Sequence, residues 1–173
     1  MKHRFLSWIS AAALSALLLT GCVADDCYET AHFRFSAPES WKLSRAEYDE
    51  NSGKSALLSY TLNAVKPNDV LIREYAAEDS RTAEETVRAL TETEAASAAV
   101  PAYTEMKGLA CEAWTGSFES ESWTGYPAKF WLTAAKLNGH YLLIQSYNTM
   151  EQDVWMSAVS HLLDTLTSTA DAG

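Results

Sequence analysis

Few side chains in this sequence could do covalent, acid–base or metal chemistry. There are three cysteines, Cys22, Cys27 and Cys111, and outside the basic start the histidines are His32, His140 and His161. Nucleophilic catalysis needs a nucleophile beside a base that a third group orients. The chain has no Gly-x-Ser-x-Gly elbow and no catalytic-cysteine signature. Zinc sites want Cys or His pairs at close spacing. Calcium loops want acidic residues at alternate positions around a glycine. Neither Asp25-Asp26 nor Asn68-Asp69 fits such a loop. The carboxylates Glu84, Glu85, Glu92 and Glu94 fall on one helical stretch and read as solvated charge and dipole complement. His32 lies across a strand from Phe33 and Phe35, His140 follows a turn, and His161 lies late in a helix, where the dipole favours its cation. All three read as surface or helix-end residues. A hydrolase would require a histidine to converge from a distance on Ser117 or Ser146. The expectation is therefore no catalytic residue, no metal and no cofactor.

Cys22 differs from the other cysteines in its setting. Lys2, His3 and Arg4 make a basic start, Trp8 to Leu19 is an apolar run interrupted by Ser10 and Ser15, and Leu19-Thr20-Gly21-Cys22 closes it. These are the parts of a secretory signal in order. The run is shorter than the roughly 20 residues that a membrane-spanning helix needs. Its Leu-x-Gly-Cys ending resembles the bacterial lipobox, in which the cysteine thiol receives a diacylglycerol and the chain is cut just before it. The resemblance implies that residues 1–21 are removed and that Cys22 is a lipidated, extracytoplasmic N-terminus. The competing reading is an ordinary signal peptide that ends near a cysteine. With Cys22 acylated, Cys27 and Cys111 remain. An oxidising compartment allows them to join. The loop would be about 85 residues, worth up to roughly 4–4.5 kcal/mol in the chain-entropy model. Two separately buried thiols are the alternative.

Loss of residues 1–21 removes Lys2 and Arg4 from the 13 basic residues and none of the 23 acidic ones, leaving a net charge of −12. Such a surface repels phosphate backbones and anionic membrane faces. Nucleic acid is excluded as a partner, and any membrane contact falls to the lipid, for which two or more acyl chains hold stably. Residues 22–27 form a short tether, at most about 20 Å long at ~3.3–3.6 Å per residue. The domain that follows, residues 28–167, would sit close to the bilayer.

The positioning elements follow from periodicity. Ala31–Phe35, Trp41–Leu43, Ser55–Asn63 and Val70–Tyr75 alternate as strands, with Val70, Ile72 and Glu74 on one face of the last. Asn51-Ser52-Gly53 and Lys66-Pro67-Asn68-Asp69 are turns. Thr82-Ala83-Glu84-Glu85 is a capping box. The helix that it starts carries Val87, Leu90, Glu94 and Ala98 at helical spacing and should end before Pro101. Strands resume at Tyr103–Lys107, Leu109–Phe118, Tyr126–Leu137 and His140–Tyr147. Asn138-Gly139 gives the last two a tight hairpin, because a type I′ turn needs positive φ at both positions. Thr149-Met150-Glu151-Gln152 reads as a second capping box, opening a helix with Trp155, Ala158, Val159, Leu162 and Leu166 on one stripe. Residues 168–173 read as a polar tail. Strands joined by tight turns, with helices packed on them, predict one α+β domain built on an antiparallel β-sheet flanked by helices.

Phe33-x-Phe35-x-x-Pro38-x-x-Trp41, a helix between two strand groups, and a hairpin feeding a last amphipathic helix together resemble the PsbP-like α/β/α fold. That fold includes small bacterial lipoproteins of the DcrB-like and LpqN-like kinds. The resemblance covers roughly residues 28–167 and rests on element order more than on any one motif. It implies an antiparallel sheet between helices, no cofactor, and roles in binding or assembling other proteins. Some photosynthetic relatives bind metal, but no residue here matches such a site.

Among the aromatics, Trp114, Trp131 and Trp155 fall in regular elements and belong to the core by spacing. Trp123 and Tyr126 flank a loop of Ser, Thr, Glu and Gly. On a rigid scaffold they would be contact anchors, for a protein or for sugar rings; the alternative is that Trp123 folds over a sheet end. Taken together, the sequence leads to the expectation of a membrane-anchored binding or assembly module of the cell envelope, with an envelope protein as its partner. A small-ligand or glycan binder, using a sheet–helix pocket or the Trp123 loop, is the second expectation.

Overall fold

Alternation of apolar and polar residues and two-residue turns set the architecture. The computed structural model describes residues 27–30, 32–48, 56–61, 69–75, 81–95, 99–121, 127–148 and 150–169. Their elements run β1 (Cys27–Glu29), β2 (Phe33–Ser36), β3 (Lys42–Tyr48), β4 (Ala56–Thr61), β5 (Asp69–Tyr75), α1 (Ala83–Glu94), β6 (Ala102–Glu105), β7 (Glu112–Glu121), β8 (Pro127–Leu137), β9 (His140–Asn148), α2 (Gln152–Asp164) and β10 (Thr167–Ser168). The α+β class expected from the sequence is what the chain adopts. A seven-stranded antiparallel sheet has the order β3-β4-β5-β9-β8-β7-β6, and a small sheet has the order β1-β2-β10.

The β8–β9 hairpin is the spine. Asn138 (φ 51°) and Gly139 (φ 81°) supply the two positive φ values that a tight hairpin needs. The turn fixes a register from Leu137↔His140 to Lys129↔Asn148. That register sends Trp131 and Ala135, with Leu142 and Ile144, to one face, and Phe130, Leu132 and Ala134, with Leu143, to the other. Both faces of these central strands are therefore covered, which is why they read as near-continuous apolar runs.

Helix α2 and the small sheet cover the first face. Phe33, Phe35, Trp41, Trp155, Val159 and Leu162 are buried there with Val70 and Ile72. Trp155 is sandwiched between Trp131 (centroids 5.6 Å apart) and Trp41 (6.2 Å). Full burial of each large apolar side chain contributes about 1.5–3 kcal/mol. Helix α1 covers the second face through Val87, over Gly116 of β7. Its capping box is formed: the Glu85 amide donates to Thr82 Oγ1 (3.1 Å), and the Glu85 carboxylate accepts from the Thr82 amide (2.8 Å). That bond with the Thr82 backbone holds the Glu85 carboxyl below the usual glutamate range.

Several details differ from the sequence reading. Helix α2 begins at Gln152, with Glu151 as N-cap and no side-chain cap bond, later than the start expected at Thr149, a residue that lies outside the described ones. β9 runs on to Asn148, whose side chain takes the Met150 amide at 2.8 Å instead. Helix α1 ends at Glu94, with the extended Ala95 as its cap, short of Ala98. The polar run at the C-terminal end is not all tail, because Thr167 and Ser168 pair with Arg34 and Phe33 of β2. Phe33 and Phe35 belong to a separate small sheet, a division that alternation along a single strand does not reveal.

Candidate functional site

Glu74 is the third residue of a buried row on β5. Val70 and Ile72 precede it on the same face, opposite Ser146 and Ile144 of β9, and Glu74 itself lies opposite Leu142. A carboxylate at this position must find donors, because an unpaired buried charge is strongly unfavourable. Three reach it from the region between β1 and β2. The Thr30 hydroxyl donates to Oε1, the His32 amide donates to the same oxygen at 2.8 Å, and His32 Nδ1 lies 2.8 Å from Oε2. An ionised carboxylate only accepts, so Nδ1 carries the proton in that bond. The Glu74 side chain is 5% exposed and that of His32 is 31% exposed.

His140 completes the cluster. It is the first residue of β9, two residues before the partner of Glu74 and so on the same face. Its ring stacks on that of His32 with centroids 3.7 Å apart and planes 13° from parallel, and Phe33 meets it edge-on at 6.5 Å. The Thr169 amide donates to the His32 carbonyl at 3.0 Å, so the segment after β10 also rests here. His32 and His140 are thus partly buried partners and not the independent surface residues that their spacing suggests. His161 lies exposed in the last turn of α2, as expected.

The geometry narrows the chemistry. A carboxylate fixing a histidine through Nδ1 is the orienting half of an acid–base dyad. The Thr30 hydroxyl bonds to the carboxylate and not to the imidazole, so it does not form a nucleophile–base pair with His32. Ser146 Oγ accepts from the Asn148 amide group at 2.9 Å. Ser117 and Ser146 both lie opposite Trp131, and Ser146 is six residues along β9 from His140, about 20 Å at ~3.3 Å per residue, so neither is at this cluster. Among the described residues, no group of three His, Cys, Asp or Glu side chains is placed to hold a metal.

The other expected sites fare differently. Cys27 is disulfide-bonded and Cys111 is a free thiol, so they are not joined to each other; a sulfur already in one disulfide cannot form a second. Cys111 is instead half-buried against the α2 side of the core, and burial raises its thiol above the ordinary range, with Asp164 adding to the effect. Cys22, Trp123 and Tyr126 lie outside the described residues. Compared with known proteins, the chain matches no family model and shows no significant match to a curated protein.

Proposed function

We propose that this protein is a membrane-anchored, extracytoplasmic lipoprotein whose α+β domain binds or assembles an envelope protein without catalysis. The observation that carries the reading is the ordered series of basic start, apolar run and Leu19-Thr20-Gly21-Cys22. The position of β1 supports it. The first strand begins at Cys27, five residues after Cys22, so the tether spans at most about 18 Å. A domain held that close meets partners in or at the same membrane. The arrangement of a sheet with α1 on one face and α2 on the other also agrees with a PsbP-like family membership, which stays part of the proposal.

Replacing Cys22 with Ser tests the anchor. The wild-type chain should fractionate with membranes and resist high-salt washing, and the C22S chain should move to the soluble fraction. Equal retention of both would overturn the reading.

A further inference from the structure

We infer that His32, His140 and Glu74 form a pH-sensitive clasp that holds the small sheet against the end of the β8–β9 hairpin. The cluster joins three parts of the fold. His32 immediately precedes β2, Glu74 comes from β5, and His140 opens β9. Among the described residues, the groups facing the two imidazoles are few. β5 contributes the Glu74 carboxylate at 2.8 Å from His32, and the turn after β1 contributes the uncharged Thr30. β2 contributes Phe33, and the segment after β10 contributes the Thr169 amide. The nearby Arg34 guanidinium is engaged with Glu29 at 2.7 Å.

One carboxylate thus serves two stacked rings. With a proton added to His32, the pair with Glu74 is an ion pair and the stack sets a cation on a neutral ring. With His140 protonated as well, two cations face each other at 3.7 Å. Like charges at that separation repel, and moving the small sheet away relieves the repulsion. By linkage, the form that accepts the second proton at less cost gains population as pH falls. The first proton, on His32, strengthens its pair with Glu74, and the clasp loosens only as acid adds the second to His140. This holds whether or not Cys22 carries lipid.

Amide hydrogen exchange on the purified protein with its native N-terminus tests the clasp. The amides of Thr169 and His32 report on it directly, since they bond to the His32 carbonyl and to Glu74. Their protection, measured against free-chain rates at each pH, should fall by about three- to tenfold between pH 7.5 and 5.5, tenfold being the ceiling for one extra imidazole proton. Both values lie above the ordinary carboxylate range, roughly pH 4. Amides of the β7–β8 ladder should keep their protection. His140→Phe keeps a ring on the stack and removes the proton, so the fall should shrink below about twofold; His140→Gln serves if the larger ring disturbs folding. Unchanged protection in the wild type, or the same fall in the variant, would overturn the inference.

Discussion

A glycine and a glutamate show how much one residue fixes here. Gly116 lies where α1 crosses β7. A Cβ added there would sit 2.8 Å from Val87 Cγ1 and against the Thr91 side chain. Gly→Ala at a compatible strand site stabilises by about 0.4–1 kcal/mol through the unfolded chain. Overpacking in a filled core costs about 1–3 kcal/mol. The second effect wins at 2.8 Å, so Gly116→Ala should lower the unfolding free energy by roughly 1–2 kcal/mol in urea at unchanged m. A neutral or stabilised variant would mean that α1 moves freely over the sheet. Glu74 was legible in part: its place in the row with Val70 and Ile72 marks a carboxylate on an apolar face. Its donors were not legible, because Thr30 and His32 are more than 40 positions away in the chain and lie on the connection between two strands of the other sheet. Pattern within one strand says nothing of which other strand lies above it.

Elements were read best where one local signal decides them. The Asn138-Gly139 turn and the Thr82 capping box are both formed as the sequence implies. Thr82 also starts an exposed ladder, since Glu84 and Arg88 pair at i, i+4 with 2.7 Å between them. Such pairs contribute only about 0.3–0.5 kcal/mol. The cap carries more: Thr82→Ala should destabilise by about 1 kcal/mol, and Thr82→Ser should restore most of it. Equal stability of all three chains by thermal unfolding would show that packing on Gly116 alone holds α1. The helix start read at Thr149 falls later, with Glu151 as N-cap, for a physical reason. Strand pairing with β8 carries β9 through Asn148, opposite Lys129, and the ladder outcompetes an earlier helix start. A two-residue strand such as β10 has no period to detect, so its residues passed for tail.

At the scale of the whole molecule, two faces of one sheet are covered by different means: α1 on one side, α2 and the small sheet on the other. The clasp lies where the small sheet meets the large one, and β1, which leads back toward Cys22, belongs to that small sheet. On the lipoprotein reading, the strength of the clasp sets how firmly the main sheet is held to its tether. On the same reading the net charge leaves the hold to the lipid, because a domain this acidic is repelled by an anionic leaflet.

The most direct test is the mass of the N-terminal tryptic peptide from the native protein, digested without reduction. The sequence has no Lys or Arg between Arg4 and Arg34. The account predicts a peptide that begins at Cys22, ends at Arg34 and carries a diacylglyceryl group on the Cys22 sulfur. The chain has three cysteines and Cys111 is a free thiol, so a lipid thioether on Cys22 leaves Cys27 no partner sulfur within the chain, and on this account the same peptide carries Cys27 without an intrachain bridge. A peptide beginning before Cys22, or one in which Cys22 is found in a disulfide, would contradict it.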